Sequence, residues 1–140
     1  MVDHPARLLT AAVGGCVALV AAAILVAWAS GDTTAAAWVT GWRVMVPSTA
    51  FVFVCVGLGV VTHGIGSPAM ARRAVPLLAL AAAWLPAATL IEYASGARFG
   101  LESALGIAFP PGHPVAGRMS PVSCLSLTLL SVALSGVAGR

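Results

Sequence analysis

Four long apolar runs, separated by short polar or charged segments, constrain this chain more than any other feature. The runs cover residues 8–29, 44–62, 74–94 and 121–137, and almost all charged residues fall outside them. About 20 apolar residues are needed to cross the hydrocarbon core of a bilayer as a helix. The pattern therefore predicts an all-α integral membrane protein in which four transmembrane helices form a single domain over residues 1–140.

Composition excludes a soluble globular domain. The chain is 60% hydrophobic and 8% charged, whereas a soluble domain carries about 25% charged residues. Its seven arginines are spread over both termini and every loop, so the net positive charge does not predict nucleic-acid binding. The first run follows Arg7, as in a signal peptide, but it is longer than the apolar region of a signal peptide, which favours a retained helix.

Helix-boundary signals agree with the apolar runs. Pro47 and Pro121 stand where the second and fourth helices begin, a position at which a missing N–H costs nothing. Ser120 is a natural N-cap for the fourth helix. The tripeptide Ala-Ser-Gly at 29–31 and again at 94–96 supplies a glycine where the first and third helices end.

The two halves of the chain show signs of an internal repeat, with one copy at about 8–64 and the other at about 74–138. Residues 23–31 align with residues 88–96 with five identities in nine positions. Chance matches arise easily in sequences rich in alanine and leucine, so the similarity has two explanations, duplication and coincidence. The ordered succession of matching signals favours duplication.

The same alignment pairs Trp28 with Tyr93. Downstream, Met-Val-Pro-Ser-Thr-Ala at 45–50 aligns with Met-Ser-Pro-Val-Ser-Cys at 119–124 if the second connection is about nine residues longer. Each copy holds two helices, so the fold is predicted to consist of two tandem helical hairpins that enter the membrane from the same side, as in parallel repeats.

Arginine positions give a prediction of orientation. With four spans, one side of the membrane is predicted to carry Arg7, Arg72, Arg73 and Arg140. The other side is predicted to carry Arg43, Arg98 and Arg118. The Arg72–Arg73 pair is predicted to lie in a short loop beside the membrane, where the positive-inside rule has most force. We therefore expect both termini in the cytoplasm, with the protein in the inner membrane of a bacterium.

Both connections on the opposite side are predicted to contain short helices that lie on the membrane surface, at about 33–40 and about 101–108. The first would follow an N-cap at Asp32, and the second has helical spacing of its apolar residues. The predicted interfacial anchors are Trp38, Trp42, Tyr93, Arg43 and Arg118.

Small residues mark the predicted faces for helix packing. Gly57, Gly59, Ser131 and Ser135 would allow close approach of helices where lipid removes the hydrophobic driving force between them. Pro86 lies inside the third helix and predicts a kink. The kink would act either as a hinge or as a fixed packing feature, and the fixed role is favoured.

Glu92 and His63 are the candidate ligand-binding residues. Glu92 is a carboxylate close to an apolar span, where acids are functional candidates. Its place in the last turn of the third helix favours an interfacial anchor, or a partner for Arg98, over a proton or ligand site. His63 could ligate a haem iron or a chlorophyll magnesium. His4 and His113 are predicted to lie in a tail and a loop, so no cofactor is implied beyond bound lipid.

Residues for catalysis or metal binding do not form a recognisable set. Cys16, Cys55 and Cys124 lie within predicted spans without metal-ligand spacing, which favours small buried hydrophobic residues over metal or disulfide roles. The sequence has no phosphate-binding glycine loop, no His-Glu-x-x-His and no plausible Ser/His/Asp combination. We therefore expect a protein that is not an enzyme.

Three segments resemble a membrane input region of bacterial sensor histidine kinases and diguanylate cyclases. They are Leu-Ile-Glu-Tyr-Ala-Ser-Gly at 90–96, Phe-Gly-Leu-Glu at 99–102 and Gly-Arg-Met-Ser-Pro-Val-Ser-Cys at 117–124, with residues 45–50 resembling the first repeat of that region. Glu102 replaces the usual Asp, and Val-Ser-Cys at 122–124 replaces Asn-Thr-Ala. The resemblance implies a similar helical architecture, and also a signalling domain that this sequence does not contain.

The sequence thus leaves several hypotheses. The favoured one is a non-catalytic protein that packs against other integral membrane proteins, as an accessory subunit of a larger complex such as a photosynthetic or respiratory one. The first alternative is a sensory input module without its output domain. A binder of a cofactor or small ligand is the second alternative, and a small transporter is the least favoured because the spans lack polar midplane residues.

Overall fold

Four helices make up the computed structural model of this protein. It describes residues 4–31, 45–97, 99–100 and 119–138. Helix α1 spans His4–Ala29, α2 spans Pro47–Ile65, α3 spans Pro68–Ser95 and α4 spans Pro121–Ala138. Each of the four predicted apolar runs therefore forms a helix, and the described residues contain no strand.

Several predicted features lie outside the described residues. They are the two surface helices at about 33–40 and 101–108, and the side chains of Trp38, Trp42, Arg43, Arg98, Arg118, His113 and Arg140. These remain predictions from the sequence.

The starts of α2 and α4 are where the prolines predict them. Pro47 and Pro121 are the first residues of the two helices. The hydroxyl of Ser120 accepts a hydrogen bond from the backbone N–H of Ser123 at 3.1 Å, which confirms the predicted N-cap. This contact satisfies one of the N–H groups that the first turn of a helix leaves without a partner.

The ends of α1 and α3 are also as predicted. Gly31 and Gly96 have φ angles of +75° and +70°, the left-handed conformation that glycine adopts without steric cost. The N–H of Gly96 donates to the carbonyl of Glu92 at 3.0 Å. Glycine at these two positions lets the chain leave each helix abruptly.

The start of α3 differs from the prediction. The helix begins at Pro68, six residues before the predicted start at residue 74. The hydroxyl of Ser67 accepts from the N–H of Met70 at 3.2 Å, so Ser67 caps the helix just as Ser120 caps α4. Arg72 and Arg73 consequently lie within the second turn of α3 and not in a loop.

By length and composition, α1, α2 and α3 are able to cross a membrane, and α4 is a shorter apolar helix. Helix α4 has 18 residues, which at a rise of about 1.5 Å per residue gives about 27 Å, against about 30 Å for the hydrocarbon core. Three membrane-crossing helices in one chain indicate a multi-pass membrane protein.

Helix α2 is at the centre of the bundle and packs against α1, α3 and α4, while α3 also packs against α4. Only Gly66 and Ser67 separate α2 from α3. Helices that follow one another in the chain run antiparallel, so α2 and α4 run parallel. The Gly66 end of the bundle therefore contains the starts of α1 and α3 and the ends of α2 and α4, and the Gly31 end contains their opposite ends.

Small residues bring α1 and α2 into backbone contact. The buried residues Gly14, Ala18 and Ala21 form a stripe on α1 that faces α2. A Cβ atom added to Gly14 would lie 2.8 Å from the carbonyl oxygen of Gly57, and one added to Gly57 would lie 2.7 Å from the carbonyl oxygen of Gly14. Such close approach increases dispersion contacts between helices in lipid.

Larger aliphatic side chains fill the space between α2, α3 and α4. The buried residues of this core include Val52 and Val56 from α2, Val75 and Leu85 from α3, and Leu127 from α4. The bundle thus has a glycine-lined contact on one side of α2 and an aliphatic core on the other.

Helix α3 continues through two prolines, Pro76 and Pro86. Pro86, the predicted kink position, is buried, whereas Pro76 is exposed. Proline lacks an N–H, so it leaves the carbonyl four residues earlier without its usual donor. For Pro86 this is the carbonyl of Ala82. The hydroxyl of Thr89 donates to a different carbonyl, that of Leu85, at 2.9 Å. A kink at Pro86, whether fixed or hinge-like, stays a prediction.

The contact between α1 and α2 predicts a sharp difference between two adjacent glycines. Gly14→Ala should lower the free energy of unfolding by about 1–3 kcal/mol because the added methyl group overpacks a backbone contact. At Gly15 the nearest atom to an added Cβ is 3.9 Å away, so Gly15→Ala should be neutral or raise stability by up to about 1 kcal/mol, since alanine favours helix. Unfolding in mixed micelles measures both, and equal midpoints would contradict the prediction.

Candidate functional site

The two predicted ligand-binding residues lie at opposite ends of the bundle. His63 is exposed in the last turn of α2, at the Gly66 end, and Glu92 is in the last turn of α3, at the Gly31 end. A helix rises about 1.5 Å per residue, which puts these positions on the order of 35 Å apart. One ligand cannot contact both.

Glu92 faces the interior and not the membrane surface. Only 1% of the residue is exposed, in contrast to the prediction that its side chain reaches the headgroups. Its Oε1 atom accepts a hydrogen bond from the backbone N–H of Phe99 at 2.5 Å. The turn at Gly96 reverses the chain and brings this N–H back to the carboxyl group, so Glu92 holds the start of the connection that follows α3.

Trp28 and Tyr93 make corresponding contacts at the Gly31 end. The indole Nε1 of Trp28 donates to the carbonyl of Met45 at 2.9 Å, just before α2. The hydroxyl of Tyr93 donates to the carbonyl of Met119 at 3.0 Å, just before α4. Each aromatic residue thus joins the end of one helix to the start of the helix that follows it.

The helix starts that receive these bonds also correspond. The N–H of Ala50 donates to the carbonyl of Val46, and the N–H of Cys124 donates to the carbonyl of Ser120. Ala50 and Cys124 are both fully buried. The two junctions differ at the surface, since Trp28 is 6% exposed and Tyr93 is 42% exposed.

Tyr93 lies where an interfacial anchor is expected. It is partly exposed in the last turn of α3 while its hydroxyl bonds to protein backbone. An aromatic ring with one polar end suits the boundary between hydrocarbon and headgroups. The residue therefore fits both an anchoring and a junction role.

The other titratable side chains do not assemble into a metal site. His4 is the first residue of α1 and not part of a tail. Cys16 is exposed, Cys55 and Cys124 are buried, and all three are free thiols. In the part of the chain that the structure describes, no group of three or more His, Cys, Asp or Glu residues could hold a metal ion.

The predicted packing residues lie at or near helix contacts. Gly57 meets α1, and a Cβ atom at Gly59 would lie 2.8 Å from the Cδ2 atom of Leu134 on α4. Ser131 is buried and its hydroxyl donates to the carbonyl of Leu127 within α4. Ser135 is partly buried and donates to the carbonyl of Val132. Both serines therefore satisfy their hydroxyls within their own helix.

Two contacts were not anticipated from the sequence. Gly14 is the partner of Gly57. Because Gly15 is adjacent to Gly14, the sequence does not indicate which of these two glycines contacts α2. Arg7 donates from Nε to the carbonyl of Gly64 at 3.0 Å and so joins the start of α1 to the end of α2. The only available signal was its place directly before an apolar run, which does not identify a partner.

An apolar groove lies on the outer side of α1 and α2. It has a volume of about 320 Å³ and is lined by side chains of Cys16, Val17, Val20, Ala21, Ile24, Met45 and Phe53. No polar side chain that could orient a substrate lines it. The groove can accommodate an acyl chain or an apolar side chain.

The geometry as a whole supports contact between helices. Arg7, Trp28 and Tyr93 bond to backbone groups of another helix end and join the helices, whereas Ser131 and Ser135 bond within their own helix. No family model, curated protein or solved structure matches the chain.

The Glu92 contact predicts a local effect on the connection after α3. Glu92→Ala should speed amide hydrogen exchange at Phe99 and lower stability by about 1–3 kcal/mol, because it leaves a partly buried N–H without its acceptor. Glu92→Gln keeps an acceptor oxygen and should have a smaller effect. Hydrogen exchange with mass spectrometry measures both variants, and equal exchange at Phe99 in Glu92→Ala and the unmodified protein would refute this role.

Proposed function

We propose that this chain is a non-catalytic membrane protein that acts by packing against partner membrane proteins. The role we favour is an accessory or stabilising subunit of a larger membrane complex, for example a photosynthetic or respiratory one. The observation that carries the proposal is the unequal burial of its helices.

Helix α1 uses little of its surface within the chain. In its most apolar stretch 22% of residues are buried, against 44% for the central helix α2. Its stripe of small residues faces α2, while the opposite face presents exposed aliphatic side chains such as Leu9, Leu19 and Val26. Helix α1 is therefore rigidly held on one side and offers a continuous apolar face, the surface that a helix of another protein would use.

The proposal includes four membrane spans, with α4 as the last. Helix α4 has 18 residues and α2 has 19, so their lengths differ by a single residue rise of about 1.5 Å. The hydrogen bond between Tyr93 and Met119 places the start of α4 at the same end of the bundle as the start of α2. With four spans both termini lie on one side, and the arginines at the Gly66 end favour the cytoplasmic side of a bacterial inner membrane.

We further propose that the two hairpins descend from a duplication. The proposal is supported by the corresponding hydrogen bonds of Trp28 and Tyr93 and by the left-handed glycines that follow them. A chance resemblance between alanine-rich helices does not require equivalent side-chain contacts. The bond from Glu92 to Phe99 occurs only in the second copy, where Ala27 aligns with Glu92.

A sensory input module is the second candidate. The described residues of the segments that resemble the input region of sensor kinases and diguanylate cyclases meet at the Gly31 end, where Tyr93 bonds to Met119 and Glu92 bonds to Phe99. Such a module would act on an output protein through its membrane helices. The identity of the captured partner separates this candidate from an accessory subunit.

Photocrosslinking in native membranes tests the proposed contact. A benzophenone side chain at Leu19, which is 72% exposed on α1, should give adducts of defined mass with a partner protein, and blue-native gels should show the chain in a larger assembly. The same side chain at Leu129, 60% exposed on α4, shows whether the partner contacts α1 alone or α4 as well. A respiratory or photosynthetic partner supports the favoured role, and a kinase or cyclase supports the second candidate.

Migration only as a small free species, with lipid adducts alone at both positions, would contradict the proposed contact.

Cysteine labelling tests the proposed topology. The three native cysteines lie within helices, where a membrane-impermeant maleimide has no access. We expect Ser30→Cys, at the Gly31 end, to react in intact cells, and Arg73→Cys, at the Gly66 end, to react only after permeabilisation. The reverse labelling pattern would place the Gly31 end in the cytoplasm. Reaction of both variants in intact cells would exclude the proposal that the two ends of the bundle lie on opposite sides of the membrane.

A further inference from the structure

A second cavity lies at the Gly66 end of the bundle, between the starts of α1 and α3 and the end of α2. It has a volume of about 580 Å³ and is lined by His4, Arg7, Leu8, Gly64, Ile65, Gly66, Ser67 and Pro68. Unlike the apolar groove beside α1, it combines a permanent cation with aliphatic side chains.

Arg7 is the cation of this pocket, and its position is held by the protein. Its Nε donates to the carbonyl of Gly64 at 3.0 Å. This bond uses one of the five N–H donors of the guanidinium group, so the two terminal amino groups remain available. An arginine that is already oriented loses less conformational entropy when it binds a phosphate group.

The charge around the pocket favours an anion. Arg72 does not line the pocket, but it lies one turn along α3 from Pro68 and adds a second positive charge at this end of the bundle. The first turns of α1 and α3 add the partial positive charge of helix N-termini, which the last turn of α2 in the same lining partly offsets. Among the described residues of this end there is no acidic side chain, because Glu92 lies at the Gly31 end.

The apolar part of the lining distinguishes between a lipid and a free anion. Leu8 and Ile65 flank Arg7 and are 50% and 60% exposed. Exposed aliphatic side chains next to a cation contribute nothing to binding of inorganic phosphate. They match a molecule whose phosphate group continues into acyl chains.

We propose that this pocket binds the phosphate headgroup of an anionic phospholipid, with Arg7 as the principal contact and Leu8 and Ile65 against the acyl chains. Basic pockets at helix ends bind anionic headgroups through such a combination. The site does not depend on the proposed protein partner, so either proposal can fail without the other.

Native mass spectrometry of the detergent-purified protein tests this site with three probes. They are phosphatidylglycerol, phosphatidylcholine with the same acyl chains, and inorganic phosphate. We expect phosphatidylglycerol to bind about fivefold or more tightly than phosphatidylcholine, the effect of one cation near an anionic surface. Inorganic phosphate should not displace it.

Arg7→Gln should remove this preference, and Arg73→Gln is the matched control. Like Arg7, Arg73 carries a positive charge at the Gly66 end of the bundle. It is one residue beyond Arg72 and therefore lies about 100° further around α3. Arg7→Gln also disturbs the bond to Gly64, so Ser67→Asp serves as a second variant, at an exposed position of the lining where an aspartate can still cap α3. It should weaken binding of phosphatidylglycerol about fivefold or more by repulsion and leave binding of phosphatidylcholine unchanged.

Three results would overturn the proposal. They are equal affinities for the two lipids in the unmodified protein, equal losses in Arg7→Gln and Arg73→Gln, and complete displacement of phosphatidylglycerol by inorganic phosphate. The last result would assign the pocket to a soluble anion.

Discussion

A polypeptide in a bilayer must satisfy its backbone polar groups without water, and this requirement organises the whole structure. Within each helix the backbone satisfies itself, so the difficulty is concentrated at helix ends. Side chains from a neighbouring helix or turn resolve it there. Trp28 and Tyr93 donate to carbonyls that precede α2 and α4, and Arg7 donates to a carbonyl in the last turn of α2. Helix termination and helix association are therefore achieved by the same residues.

Local sequence signals predicted the helices well, because glycine and proline act on the backbone of their own turn. Pro121 and Gly96 are where the sequence places them. The apolar run predicts the start of α3 too late, because two arginines lie in the second turn of the helix. The Ser-Pro pair at 67–68 carries the same information as the pair at 120–121, but two arginines beyond it suggested a loop.

Features that depend on two distant residues were harder to predict. Gly57 could be identified as a packing position from its size, whereas its partner Gly14 depends on the register between α1 and α2. The direction of Glu92 is similar. A carboxyl group in a last turn can point to the headgroups or inward, and the choice depends on the turn at Gly96 that returns the N–H of Phe99. The spacing of residues within one helix indicates neither the register between two helices nor the direction of a side chain in a last turn.

The connection between α2 and α3 has a mechanical consequence. Two residues, Gly66 and Ser67, join these helices, and both are constrained, since the N–H of Gly66 bonds back to Thr62 and Ser67 caps α3. The connection is too short for the adjoining ends of α2 and α3 to separate. The outer helices have longer connections at the opposite end. At the Gly66 end of the bundle, the bond from Arg7 to Gly64 holds α1 to α2, so three helices are joined there.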